Sequence, residues 1–223
     1  MMGGRAKGRA PTASQAVLAL AALVTGASLV VALLAHTSLA LPLALFGLLA
    51  VVTVVLWCLR APPAARAEAA RRGLYGLAAG LAATLAYDAV RLLVVEGLRL
   101  HVHPFDTFVL FGQLIVGGPP RPLAWVVGTA YHYANGVLFS VAYMMLLAGR
   151  AWWLGILWGL GLECLMLVIY PGWLNLRLVM VEFTVMSLSG HLAYGATLGL
   201  LGQRLTGRWP VSARRFARLG GGG

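Results

Sequence analysis

Six residues in strongly apolar surroundings have side chains that can do chemistry: Asp88, Arg91, His132, Asn135, Glu163 and His191. Two carboxylates and two imidazoles suit proton transfer, because histidine titrates near neutral pH and a neighbouring carboxylate can exchange the proton. Neutral imidazole with carboxylate also suits a transition metal, and His132, His191, Glu163 and Asp88 would be its ligands. A haem held by His132 and His191 is a related reading. Arg91 lies three residues after Asp88, so the two can neutralise each other on one helix face. Arg91 could instead balance Glu96 or Glu163. Asn135 shares a helix face with His132. A burial cost of about 2.5–3.5 kcal/mol per ionisable group makes such residues rare inside a bilayer unless they have a use.

The elements that must position them follow from composition. Of 223 residues, 61% are hydrophobic and 10% are charged, against about 25% charged in soluble domains. The mean hydropathy is +0.86. These values exclude an ordinary soluble enzyme and a disordered chain. Apolar runs of spanning length cover about 14–35, 38–59, 73–97, 123–148, 152–170 and 178–205. Backbone polar groups must be satisfied internally in hydrocarbon, which favours helices. The fold expected is therefore all-α, a polytopic membrane protein with six transmembrane helices. The first run exceeds the h-region of a signal peptide, so it is expected to stay as an anchor. The apolar stretch 104–118 is too short to span and is expected as a re-entrant or interfacial segment.

Basic residues orient the helices. With the amino terminus inside, 13 fall on the inner side: Arg5, Lys7, Arg9, Arg60, Arg66, Arg71, Arg72, Arg150, Arg204, Arg208, Arg214, Arg215 and Arg218. Three fall outside, Arg99, Arg121 and Arg177. This places both termini in the cytoplasm and the protein in the cell (inner) membrane. It also accounts for most of the net charge of +11 without nucleic acid. The expected organisation is a basic N-terminus (1–13), an apolar two-helix hairpin (14–59), a basic loop (60–72), a four-helix bundle with a buried polar layer (73–205) and a basic tail (206–223). The tail can lie on an anionic leaflet.

Within the bundle, a rise of about 1.5 Å per residue puts Asp88, His132, Glu163 and His191 some 17–22 Å from the inner helix ends, in one layer. Small residues recur every four positions on the same faces: Gly76, Gly80, Thr84 and Asp88; Gly128, His132 and Gly136; Gly155, Gly159 and Glu163; Ser187, His191, Gly195 and Gly199. Such faces allow close helix approach, within the chain or between copies and partner chains. The layer is accordingly expected to bind or relay a proton or small cation, with Asp88 and Glu163 as acceptors, the histidines as relays and Arg91 compensating charge. Two other readings are a metal- or haem-dependent membrane oxidoreductase and a non-catalytic scaffold or subunit. A fourth is a site for a quinone or lipid against Tyr131, Tyr133 and Trp125. Whether the chain is an enzyme stays open.

Other candidates are weaker. His101, His103 and Asp106 could form a small outer metal site, although solvated loop residues explain them more simply. Glu182 is expected at the wet interface. Cys58 and Cys164 are too few for a disulfide framework and are expected buried and inert. No phosphate loop, dinucleotide glycine pattern or HExxH motif is present.

The segment from about 73 to 202 resembles the YagU-like group of small bacterial inner-membrane proteins. The residues that carry the resemblance are Gly76 to Gly80 with Thr84, then His132, Gly136 and Tyr143, then Ser189-Gly190-His191 with Tyr194-Gly195. It implies a compact transmembrane helical unit and a membrane location, with no reaction attached.

Overall fold

The computed structural model describes residues 11–118, 120–174 and 179–207. Among them every regular element is a helix: α1 (Ala13–Ala22), α2 (Val24–Leu34), α3 (Ala40–Arg60), α4 (Pro63–Leu98), α5 (Asp106–Val116), α6 (Arg121–Leu147), α7 (Trp153–Leu174) and α8 (Met180–Gly207). The basic N-terminus to Ala10, Arg177 and the tail from Arg208 lie outside the described residues.

The first apolar run is not one straight helix. It breaks at Leu23 into α1 and α2, bent by 51°. Two contacts to α6 sit just after the break. Gly26 packs where an added Cβ would strike the Phe139 ring, and the neighbouring Thr25 hydroxyl donates to Asn135 Oδ1 at 2.8 Å. His36, with φ 51°, turns the chain towards α3. The turn docks on α5, where Leu39 N–H donates to the Leu114 carbonyl at 2.8 Å.

The basic segment 60–72, expected as a loop, is helical from Pro63 onward. Pro63 suits the first helical turn, and Ala, Glu and Arg are strong helix formers. Glu68 accepts from Arg72 Nε at 2.7 Å and also pairs with Arg71. Arg72 then reaches across to α6, donating to the Met145 carbonyl at 2.9 Å. That bond satisfies an end carbonyl which α6 itself leaves open. Apolar helix and basic segment thus merge into a single rod of 36 residues.

Helix α4 packs along both α6 and α8; α7 lies on the far side of α8, and α5 covers α6. The small-residue faces are used in these contacts. Gly80 of α4 lies against Val137 and Ser140 of α6, and Gly155 of α7 lies against Gly195 and Gly199 of α8. Gly128 meets the Phe108 carbonyl of α5. These stripes are filled within one chain, so they are not the free oligomer surface that their spacing also allowed.

Helices α3, α4 and the 153–170 part of α7 are long and apolar enough to cross a membrane, and bent α1–α2 makes a fourth if it is one span. Helix α3 is the clearest: 6% of its most apolar window is buried in the protein, and Leu45, Leu48 and Leu49 are all more than half exposed. Such a surface suits lipid. Helices α6 and α8 have 27 and 28 residues but are not apolar enough to pass on composition alone. Some of their polar residues, Ser140, Ser187 and Tyr194 among them, are buried inside the bundle. The segment expected at 104–118 is helix α5, 11 residues long.

Candidate functional site

Each of the four central titratable residues comes from a different helix: Asp88 from α4, His132 from α6, Glu163 from α7 and His191 from α8. They meet as two carboxylate–imidazole pairs. His132 Nε2 stands 3.2 Å from both Asp88 oxygens. His191 Nδ1 stands 2.7 Å from Glu163 Oε2. The Ser187 hydroxyl donates to the same Glu163 oxygen at 2.7 Å, and the Ser187 carbonyl lies 3.1 Å from His191 Nδ1. Ser187 and His191 are four apart on one helix, which brings both to the same carboxylate.

Tyr87 joins the pairs. Its ring is 5.7 Å from the His132 ring and 4.9 Å, edge-on, from the His191 ring. The Arg91 guanidinium carbon lies 4.9 Å from the Tyr87 centroid. Gly190 makes this packing possible, because a Cβ there would stand 2.8 Å from Arg91 Cγ and 2.9 Å from Tyr87 Cδ2. Tyr87 was not singled out in the sequence. The signal available was its place beside Asp88, one step round the helix towards α8.

The electrostatics of the pairs differ. Arg91 is 3% exposed and faces Asp88 at 3.5 Å, so that carboxylate has a fixed cation. Another guanidinium nitrogen of Arg91 donates to the Pro104 carbonyl. Arg91 therefore ties α4 to the start of α5 and does not balance Glu96 or Glu163. Glu163 is 1% exposed and faces the His191 imidazole. Its Oε1, and Arg91 Nε, are buried with no hydrogen-bond partner among the described residues. A buried polar atom of this kind ordinarily takes a water or an ion as its partner.

Asn135 does not join the titratable pairs. It accepts from Thr25, and Tyr131 donates to the Thr25 carbonyl at 2.9 Å. The first apolar hairpin thus contributes to the polar layer through α2. A second polar contact lies below, where the Tyr194 hydroxyl donates to the Gly136 carbonyl at 2.6 Å and meets Ser140 Oγ at 2.7 Å.

A cavity of about 120 Å³ lies between α2, α4, α5, α6, α7 and α8. Its polar wall includes Arg91, His132, Asn135, Ser187 and His191; Asp88 and Glu163 sit behind the imidazoles. A carboxylate on one ring nitrogen orients the ring and selects its tautomer. Hence the carboxylates position and the imidazoles present.

The four residues do not surround a common point. Among the described residues no three His, Cys, Asp or Glu side chains are placed to hold a metal ion. The outer trio is dispersed too: His101 pairs with Glu182 at 2.9 Å, while Asp106 faces Arg121 at 3.6 Å. Trp125 is 46% exposed and Tyr131 is turned towards Thr25, so the cavity is not the Tyr131, Tyr133 and Trp125 surface expected for an apolar ligand. Cys164 is exposed rather than buried, because one residue's step round α7 carries it away from Glu163.

No curated protein and no solved structure matches the chain. A family model matches residues 70–212, which hold most of α4, all of α5 to α8 and all six candidate residues. That range is close to the one carrying the YagU-like resemblance, yet nothing links the match to that group. On this match over more than half its length, the chain belongs to the Family of unknown function (DUF6789).

Proposed function

We propose that the protein is a membrane bundle that holds an exchangeable proton, or a small cation in its place, on the Glu163–His191 pair. The observation carrying this reading is the 2.7 Å approach of His191 Nδ1 to a Glu163 carboxylate that is 1% exposed and has an unpartnered second oxygen. One proton makes the pair neutral, as acid with imidazole or as carboxylate with imidazolium. The two forms differ by a short proton shift, so the pair can accept and release a proton without moving a helix. Asp88 and His132 form the second station, with its charge balanced by Arg91. Tyr87 lies between the stations and carries a hydroxyl.

The proposal includes six spans, with α1–α2 as one bent span and both termini on the cytoplasmic side of a bacterial inner membrane. Support for α6 and α8 as spans is their length, about 40 Å at 1.5 Å per residue, and the burial of Ser140, Ser187 and Tyr194 between helices. Support for the orientation is the excess of arginine and lysine at one end.

Infrared difference spectra across a pH step test the proton site. In the protein reconstituted in lipid, a carboxyl C=O band should change with pH, vanish in Glu163→Gln and shift in His191→Ala. A band unchanged in Glu163→Gln, with the variant folded by its unfolding temperature, overturns the assignment.

A further inference from the structure

The cavity beside the proton pairs has a composition that the proton reading does not explain. A relay needs a chain of polar atoms; this cavity is much larger than a water and mostly apolar. Its volume of about 120 Å³ is close to the roughly 150 Å³ of an apolar cavity that takes a benzene ring. One end presents donors. Arg91 Nε–H is buried and unpartnered. Asn135 uses its oxygen to accept from Thr25, which leaves its amide N–H groups. His191 has Nδ1 committed to Glu163 and the Ser187 carbonyl, which leaves Nε2 as the free ring nitrogen. Arg91 is already neutralised by Asp88, so the donor end carries no spare positive charge for an anionic head.

The rest of the wall is aromatic and aliphatic, with Tyr87, Phe139 and Phe183 beside Leu29, Leu162 and Leu165. Flat rings on several sides suit a flat ring between them. Leu165 lines the cavity and is also 49% exposed, so the apolar wall continues to the outer surface of α7. Helices α2 and α7 touch only sparsely there. In a bilayer that gap faces acyl chains.

We propose that this cavity binds a lipid-soluble molecule with a flat, carbonyl-bearing ring and an apolar tail, the chemistry of a membrane quinone. The ring carbonyls accept from Arg91 and Asn135 and from His191 in its protonated form. The tail leaves between α2 and α7 past Leu165. This inference stands on the cavity and its donors and does not rest on the proton reading.

Calorimetric titration of the protein in nanodiscs tests it, with a short-tailed benzoquinone as probe and palmitate as comparator. Saturable binding at one site per chain is expected. Asn135→Leu should weaken it about tenfold or more, since it removes a donor and leaves a polar carbonyl unpaired. Leu165→Trp, which narrows the exit without touching the donors, should weaken it too, and serves if Asn135→Leu does not fold. Absent saturable binding, or palmitate binding as tightly as the quinone with Asn135→Leu without effect, overturns the proposal. The infrared band of Glu163 is a separate readout, so either proposal can fail alone.

Discussion

His191 Nδ1 and Glu163 Oε2 are 2.7 Å apart across the α7–α8 interface, and Ser187 donates to the same oxygen. Neither helix could bury its titratable residue at tolerable cost without the other. Ser187→Ala removes one hydrogen bond to a buried carboxyl group. It should lower stability in detergent by about 1–3 kcal/mol, and Ser187→Thr should recover part of it. Thermal or chemical unfolding of the three proteins measures this.

Asp88 and Arg91 neutralise each other in a site where both are nearly inaccessible. Removing one partner strands the other. Asp88→Asn should cost about 3–5 kcal/mol, whereas the double variant Asp88→Asn, Arg91→Met should cost clearly less. A double-mutant cycle by unfolding in detergent reads the coupling. Additive losses would show that the pair is not coupled.

The bent α1–α2 pair is fastened to the core by Thr25, whose hydroxyl donates to Asn135. Thr25→Val keeps the shape and deletes the donor. The expected loss is about 0.6–1.5 kcal/mol, the range for an interhelical hydrogen bond in a membrane bundle. Unfolding followed by circular dichroism would detect it.

Helices α7 and α8 approach backbone to backbone. A Cβ at Gly155 would collide with the Gly195 carbonyl, and one at Gly199 with the Trp152 carbonyl. Gly155→Ala and Gly199→Ala should each destabilise by about 1–3 kcal/mol through forced separation. Gly161→Ala, on the same helix but with nothing within 4 Å of its Cβ, should be neutral or slightly stabilising. Equal unfolding temperatures for all three would contradict the close packing.

His101 bridges the α4–α5 connection to Glu182 at the start of α8. The hydrogen bond to the Glu182 carboxylate, and then its charge, raise the His101 pKa above the ordinary value of 6.5. A raised folded-state value means the contribution is complete below about pH 6.5 and is lost as pH rises through the folded value. The contact is exposed, so the effect is local. Amide exchange around residues 99–103 should quicken as pH rises beyond the intrinsic rate increase, and His101→Ala should abolish that excess.

Much of this organisation was legible in the residues. Composition required apolar helices, and the rarity of charge inside them marked Asp88, Arg91, Glu163 and the two histidines. Four-residue spacing of glycine predicted which faces would pack, and Gly80, Gly155 and Gly195 sit in those interfaces. Helix length was read less well at 60–72, where charge suggested a loop but Ala, Glu and Arg extend α4. The break at Leu23 was also missed; beside it Gly26 and Thr25 meet Phe139 and Asn135 of another helix, contacts that one helix's pattern does not show.

A periodic pattern specifies direction around one helix axis; it carries no information about which helix lies opposite or how far it has slid. The chain's amino acids by themselves therefore determined that titratable groups are enclosed by apolar helices. Only the packing of α4, α6, α7 and α8 decided that they divide into Asp88 with His132 and Glu163 with His191, that Tyr87 stands between, and that a cavity opens beside the imidazoles. Pairing depends on distances of a few ångströms between segments dozens of residues apart, and those distances exist only once the helices have docked.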